Sequence, residues 1–78
     1  MLLTTSTINA VVDIMQEARK NFAPKDIYFN DKTLELKMNT EADGTFHSIS
    51  VKNYVEARNE KNRKGLLSWF IGSFDDGN

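Results

Sequence analysis

Asp26-Ile-Tyr-Phe-Asn30 and Thr33-Leu-Glu-Leu-Lys-Met38 decide the fold, because across them the apolar period changes from near four to two. In the second run Leu34, Leu36 and Met38 share one face while Glu35 and Lys37 take the other. That alternation is expected of a strand with one wet face. Asn30-Asp31-Lys32 supplies turn residues between the runs, so the pair reads as a hairpin. A second turn is expected over Asn39-Thr-Glu-Ala-Asp-Gly44, with Asp43-Gly44 as its strongest signal. A third strand starts near Phe46, with His47, Ile49 and Val51 alternating against Phe46, Ser48 and Ser50.

Upstream of the hairpin, Ile8, Val11, Val12, Met15, Ala18 and Phe22 recur at steps of three and four, the mark of an amphipathic helix. Ser6 or Thr7 is the expected N-cap, and Pro24 forces the helix to stop, giving a helix from about Ile8 to Phe22. Downstream the reading branches. Ser50 can cap a long helix opened by Val51, Tyr54 and Val55 and interrupted, if anywhere, at Gly65. Alternatively the strand runs on to about Ala57 and a shorter helix begins near Glu60. The long helix is the preferred expectation.

Either branch gives helix, three antiparallel strands, helix. Helices packed on one face of such a sheet make a two-layer α+β domain. The expected core is Ile8, Val12, Met15, Phe22, Leu34, Leu36, Ile49, Leu67 and Phe70. Residues 1–78 form one small domain, with 75–78 a frayed acidic tail.

A chain of 78 residues buries only roughly 60% of the surface its unfolded form exposes, so disulfides, a metal or a partner chain usually supply extra stability. Cysteine is absent, which removes disulfides and thiolate metal sites. His47 has no second imidazole with which to share a transition metal. A partner chain, a second copy forming a homodimer included, is the remaining source of help. The net charge of −1 argues against coating nucleic acid by bulk electrostatics. No stretch approaches a membrane span, and Met1-Leu2-Leu3 lacks the basic flank and long apolar core of a signal peptide. A soluble cytoplasmic protein without membrane contact is expected.

No motif names a chemistry. His47 is a candidate general base, but no Ser or Asp spacing supplies an orienting partner or a nucleophile. Asp31, Glu41 and Asp43 sit near loop tips yet do not match the twelve-residue calcium loop. The glycines are scattered rather than clustered into a phosphate cradle. Neither a cofactor nor an enzymatic activity is expected.

The segment 52–64 carries Lys52, Arg58, Lys61, Arg63 and Lys64 against Glu56 and Glu60, five cations to two anions. It reads either as a phosphate-contacting surface or as a solvated helix face with a Glu60–Lys64 pair at i,i+4 spacing. The helix-strand-strand-strand-helix order resembles the double-stranded-RNA-binding domain, which reads the A-form duplex by shape. The resemblance implies a nucleic-acid role for these basic residues. The chain departs from that family in lacking its Gly-Pro-x-His loop and the lysine cluster of its final helix.

Trp69 is the remaining signal. On a helix from Leu66 advancing roughly 100° per residue, Leu66, Leu67, Phe70, Ile71 and Phe74 share a stripe about 140° wide. Trp69 lies about 130° from the centre of that stripe. A tryptophan that the core does not claim is a candidate interface anchor. Lys61, Arg63 and Lys64 lie within two turns of it as a charged rim, and Tyr28 and Tyr54 are candidates to widen the patch. The expected function is a small non-enzymatic module that binds another protein, a regulator or inhibitor such as phage or mobile elements direct at host enzymes. The alternative is nucleic-acid binding through the segment 52–64.

Overall fold

Thr4 begins the first helix. Its hydroxyl oxygen accepts from the amide of Thr7 at 3.1 Å, and the helix α1 runs Thr5–Asn21. The cap therefore lies two residues before Ser6. Among the equally eligible hydroxyls of Thr4, Thr5, Ser6 and Thr7, this one lets Thr7 turn inward as the first buried position. In the computed structural model, residues 4–57 and 59–75 are described. Arg58 of the basic segment and residues 76–78 of the expected tail lie outside them.

The buried stripe of α1 is Thr7, Ala10, Ile14 and Ala18. Val11, Met15 and Phe22 pack along its margin. Ile8 and Val12, expected in the core, are 50% and 44% exposed. The apolar arc of α1 is wider than the stripe that finds partners, and periodicity centred it on the bulky residues. Packing instead centres it on Ile14, which the periodic reading passed over, with Ala10 and Ala18 one turn to either side.

Pro24 does not merely stop the helix; it opens the strand β1, Pro24–Asn30. This is an edge strand, the place where a missing amide is tolerated. The strands β2, Glu35–Thr40, and β3, His47–Ser50, complete a three-stranded antiparallel sheet in the order β1-β2-β3. Phe29 sits opposite Leu36 and Leu36 opposite Ile49; in the next row outward, Tyr28, Lys37 and Ser48 align. Leu36, Met38 and Ile49 are buried against the helices, whereas Tyr28, Lys37 and Ser48 face outward. The pairing of β1 is irregular between Pro24 and Ile27. There the side chain of Asn39 bridges the gap, accepting from the Asp26 amide at 3.0 Å and donating to the Gly44 carbonyl at 3.4 Å.

The first hairpin turn is held by Asn30, whose side-chain oxygen accepts from the amides of Lys32 and Thr33 at 2.9 and 3.2 Å. Leu34, expected inside the strand, belongs to this turn and has φ of 59°. The second connection is not a tight Asp-Gly turn. Gly44 does not take a positive φ, and the loop closes through Thr40 and Asp43, which exchange bonds of 3.0 Å in each direction.

Ser50 caps a helix as expected, its hydroxyl accepting from the Asn53 amide at 3.2 Å. That helix, α2, is only Val51–Glu56, and Ala57 is extended. Asn59 then caps a new helix, α3, Glu60–Gly72, by accepting from Asn62 at 2.8 Å. The break thus falls before Glu60 and α3 continues through Gly65, because Asn59 followed by Glu60 forms a stronger helix start than Gly65 forms a stop. A short 3-10 turn, Ser73–Asp75, follows. It carries Phe74 onto Phe22 and His47, with ring centroids 4.2 Å apart in both pairs. The domain is α+β, a three-stranded sheet flanked by an N-terminal and a C-terminal helix.

Candidate functional site

Helix α3 divides its side chains three ways. Phe70 is fully buried, and Leu67, Ile71 and Phe74 pack around it. Trp69, the neighbour of Phe70 in the chain, is 69% exposed on the opposite side. The stripe read from the sequence faces inward at Leu67, Phe70, Ile71 and Phe74 with Trp69 outside it, but Leu66, expected in the stripe, lines the Trp69 groove instead. Trp69 lies in a shallow groove between α2 and α3 together with Leu66, Ala57, Asn53 and Gly65. Gly65 leaves the groove open beside the indole, since nothing lies within 4 Å of where its side chain would be.

The basic residues do not all gather there. Lys61 lines the Trp69 groove. Arg63 and Lys64 line a second, larger cleft on the other flank of α3. Lys64 is engaged by Glu60 at 3.4 Å, both side chains well exposed. A pair of this kind contributes a few tenths of a kcal/mol at most, roughly 0.3–0.5. The two tyrosines go elsewhere too. Tyr54 lines the second cleft, and Tyr28 stands on the open face of the sheet.

The second cleft is walled by α1 and α3 and has α2 at one end. Ala10, Val55, Leu67 and Ile71 are its apolar lining; its α1 wall carries Asp13, Glu17 and Lys20, and its α3 wall Glu60, Arg63 and Lys64. Burial pushes the pKa of the Tyr54 phenol above its ordinary value, the charge of Asp13 adds to that shift, and Arg63 opposes it. Charges of both signs thus surround one phenol.

On the outer face of the sheet, Tyr28 and Phe46 meet with ring centroids 5.5 Å apart, and the Lys37 ammonium lies 5.3 Å from the Phe46 ring centre. Periodicity did not single out Phe46, because it precedes β3 in a loop. Its position depends on how that loop folds over Tyr28.

His47 lies on the inner face. Its Nε2 donates to the Asp43 carboxylate at 2.6 Å, and its ring rests against Phe74. That hydrogen bond, followed by one from the Thr45 amide at 3.0 Å, holds the Asp43 carboxyl below the usual range. Among the described residues, no group of three His, Cys, Asp or Glu side chains is placed to hold a metal ion. No described helix is long and apolar enough to cross a membrane. Compared with protein-family models, with curated proteins and with solved structures, the chain matches none.

Proposed function

We propose that the protein is a non-enzymatic module that binds another protein, with Trp69 as the anchor. The observation that carries the reading is the contrast within α3: Phe70 is fully buried while Trp69 is 69% exposed above a groove edged by Leu66 and Ala57. Leaving an indole in water forgoes about 1.5–3 kcal/mol of burial. A partner pocket that desolvates it recovers that energy, which is why tryptophan dominates interface hot spots. Lys61 sits at the edge of the groove, suited to steering and salt sensitivity rather than to anchoring. A module of this size acts by covering a partner's surface, as a regulator or an inhibitor. The absence of cysteine fits a reducing compartment, so the cytoplasm is the proposed location.

The separation of Lys61 from Arg63 and Lys64 supports a protein partner over nucleic acid, since a phosphate track needs its cations on one face. The test is affinity capture from extracts of the native host with wild type and Trp69→Ala, at low and moderate salt. A partner retained at moderate salt and lost with Trp69→Ala supports the reading. Capture that ignores Trp69 and collapses by orders of magnitude with salt would transfer the function to phosphate binding.

A further inference from the structure

The cleft between α1 and α3 lies on the flank of α3 turned away from the Trp69 groove, and its shape and charge say what fits it. Along α1 its lining runs from Ser6 to Asn21, a length of roughly 22 Å at the helical rise. The cleft holds about 1100 Å³. A helix of about four turns matches that length.

The walls favour the same occupant. Both are helix flanks, whose backbone groups are already bonded within their own helices, so they offer no ladder to an extended strand. A helix satisfies its own backbone and needs only an apolar stripe for Ala10, Val55, Leu67 and Ile71. The walls differ in net charge, one anion in excess on α1 and one cation in excess on α3. Lys20 reaches Glu17 at 3.4 Å and Glu60 reaches Lys64 at 3.4 Å, while among the described residues Asp13 and Arg63 form no ion pair. One wall therefore presents an unengaged carboxylate and the opposite wall an unengaged guanidinium. The unengaged carboxylate of Asp13 disfavours a polyanion in the cleft.

We infer that this cleft receives an amphipathic helix of a partner protein whose apolar stripe is flanked by basic side chains toward α1 and acidic side chains toward α3. The inference goes beyond the Trp69 reading and does not depend on it, because no residue of the Trp69 groove lines the cleft. The Tyr54 phenol, set among Asp13, Glu17 and Arg63, is a hydrogen-bonding group at the end of the apolar lining where the occupant's stripe begins.

The test uses the full chain and three synthetic helical peptides of about sixteen residues sharing one leucine stripe. One peptide carries Lys along one flank and Glu along the other, the second Lys on both, the third Glu on both. Affinities come from fluorescence anisotropy and the location of binding from amide shifts. The mixed peptide should bind at least about fivefold tighter than either uniform one, because each uniform peptide meets one wall of its own sign. Shifts should concentrate at Ala10, Tyr54, Leu67 and Ile71. Asp13→Lys, at an exposed position, should weaken the mixed peptide and tighten the all-Glu peptide. Trp69→Ala should change none of these affinities, so the outcome is independent of the Trp69 reading. Equal affinity for all three peptides, shifts centred on Lys61 and Trp69, or no binding of the mixed peptide below about 1 mM would overturn the inference. Self-association of the free chain that Asp13→Lys abolishes would also overturn it, and assign the cleft to a second copy.

Discussion

The carbonyl oxygen of Leu34 accepts the amide hydrogen of Val51 at 2.9 Å, so the turn between β1 and β2 is bonded to the first residue of α2. The Val51 amide is one of the donors that a helix leaves without an internal partner at its start. Leu34 supplies that partner from a left-handed backbone, which non-glycine residues rarely adopt. The bond extends the β2–β3 pairing one residue beyond Glu35 and Ser50, to the point where sheet gives way to helix.

Leu34→Gly should relieve a left-handed cost of about 1–2 kcal/mol while losing a half-buried side chain of similar worth, leaving stability within about 1 kcal/mol of wild type. Leu34→Val should lose clearly more, because a β-branched side chain tolerates positive φ least. Urea denaturation of both variants measures this. A valine variant as stable as wild type would remove backbone conformation from the account.

Leu36 is fully buried and its strand neighbour Glu35 is exposed. Leu36→Ala should cost about 2–5 kcal/mol. Glu35→Ala should stay within about 0.5 kcal/mol. Equal losses in thermal or chemical unfolding would mean that the faces of β2 are misassigned.

The same comparison applies to α3. Phe70→Ala should cost about 3–5 kcal/mol in folding stability, and Trp69→Ala no more than about 0.5 kcal/mol. Chemical denaturation needs no knowledge of the partner. The reverse order would put the indole in the core and leave the proposed interface without its anchor.

Asp43 is held below its ordinary ionisation range by His47 and by the Thr45 amide. A carboxyl whose folded value is depressed contributes stability that is present above its unfolded value, about 3.9, and is lost as pH falls through the lower folded value. Melting temperature should therefore fall across that acidic window in wild type and fall less in Asp43→Asn. Identical acid limbs for the two proteins would show that the contact contributes nothing to stability.

Tyr54 behaves in the opposite sense. Its phenol is raised by burial and by Asp13, so the folded state keeps the proton longer than the unfolded chain. Stability should be unaffected below the unfolded value, about 10, and decline as pH rises from there toward the higher folded value. Subtracting the pH profile of Tyr54→Phe from that of wild type isolates the effect from other groups that titrate there. A difference that does not change with pH would place the phenol in water.

The fold was legible where the period of the chain was decisive. Alternation at Leu36 and Met38 gave the sheet its inner face, and the stripe around Phe70 put Trp69 outside the core. Legibility failed where several residues competed for one role. Thr4, Thr5, Ser6 and Thr7 can all cap α1, and only packing selects Thr4. Gly65 invited a break, but Asn59 offered a cap and the chain broke there. Ile8 and Val12 look like core because they are large and periodic, but the helix turns its inner face to Ile14, flanked by Ala10 and Ala18. The candidate surfaces were half legible. A single helix shows which face is left over, so Trp69 could be found. The cleft that joins Asp13 on α1 to Arg63 on α3 depends on how far apart two helices splay, and no local pattern encodes that distance.

The irregularity between Pro24 and Ile27 has a consequence for storage and handling. β1 pairs only with β2, so its outer side offers amides and carbonyls to any passing strand. Pro24 has no amide to offer, the pairing is irregular at its end of the strand, and Lys25 adds charge there. Ile27, Tyr28 and Phe29 continue the same edge without such protection. In concentrated solution the strand should thus be guarded at one end and open to edge-to-edge pairing at the other. Replacing Tyr28 by lysine would close that route while leaving the inward-facing Ile27 and Phe29 in place.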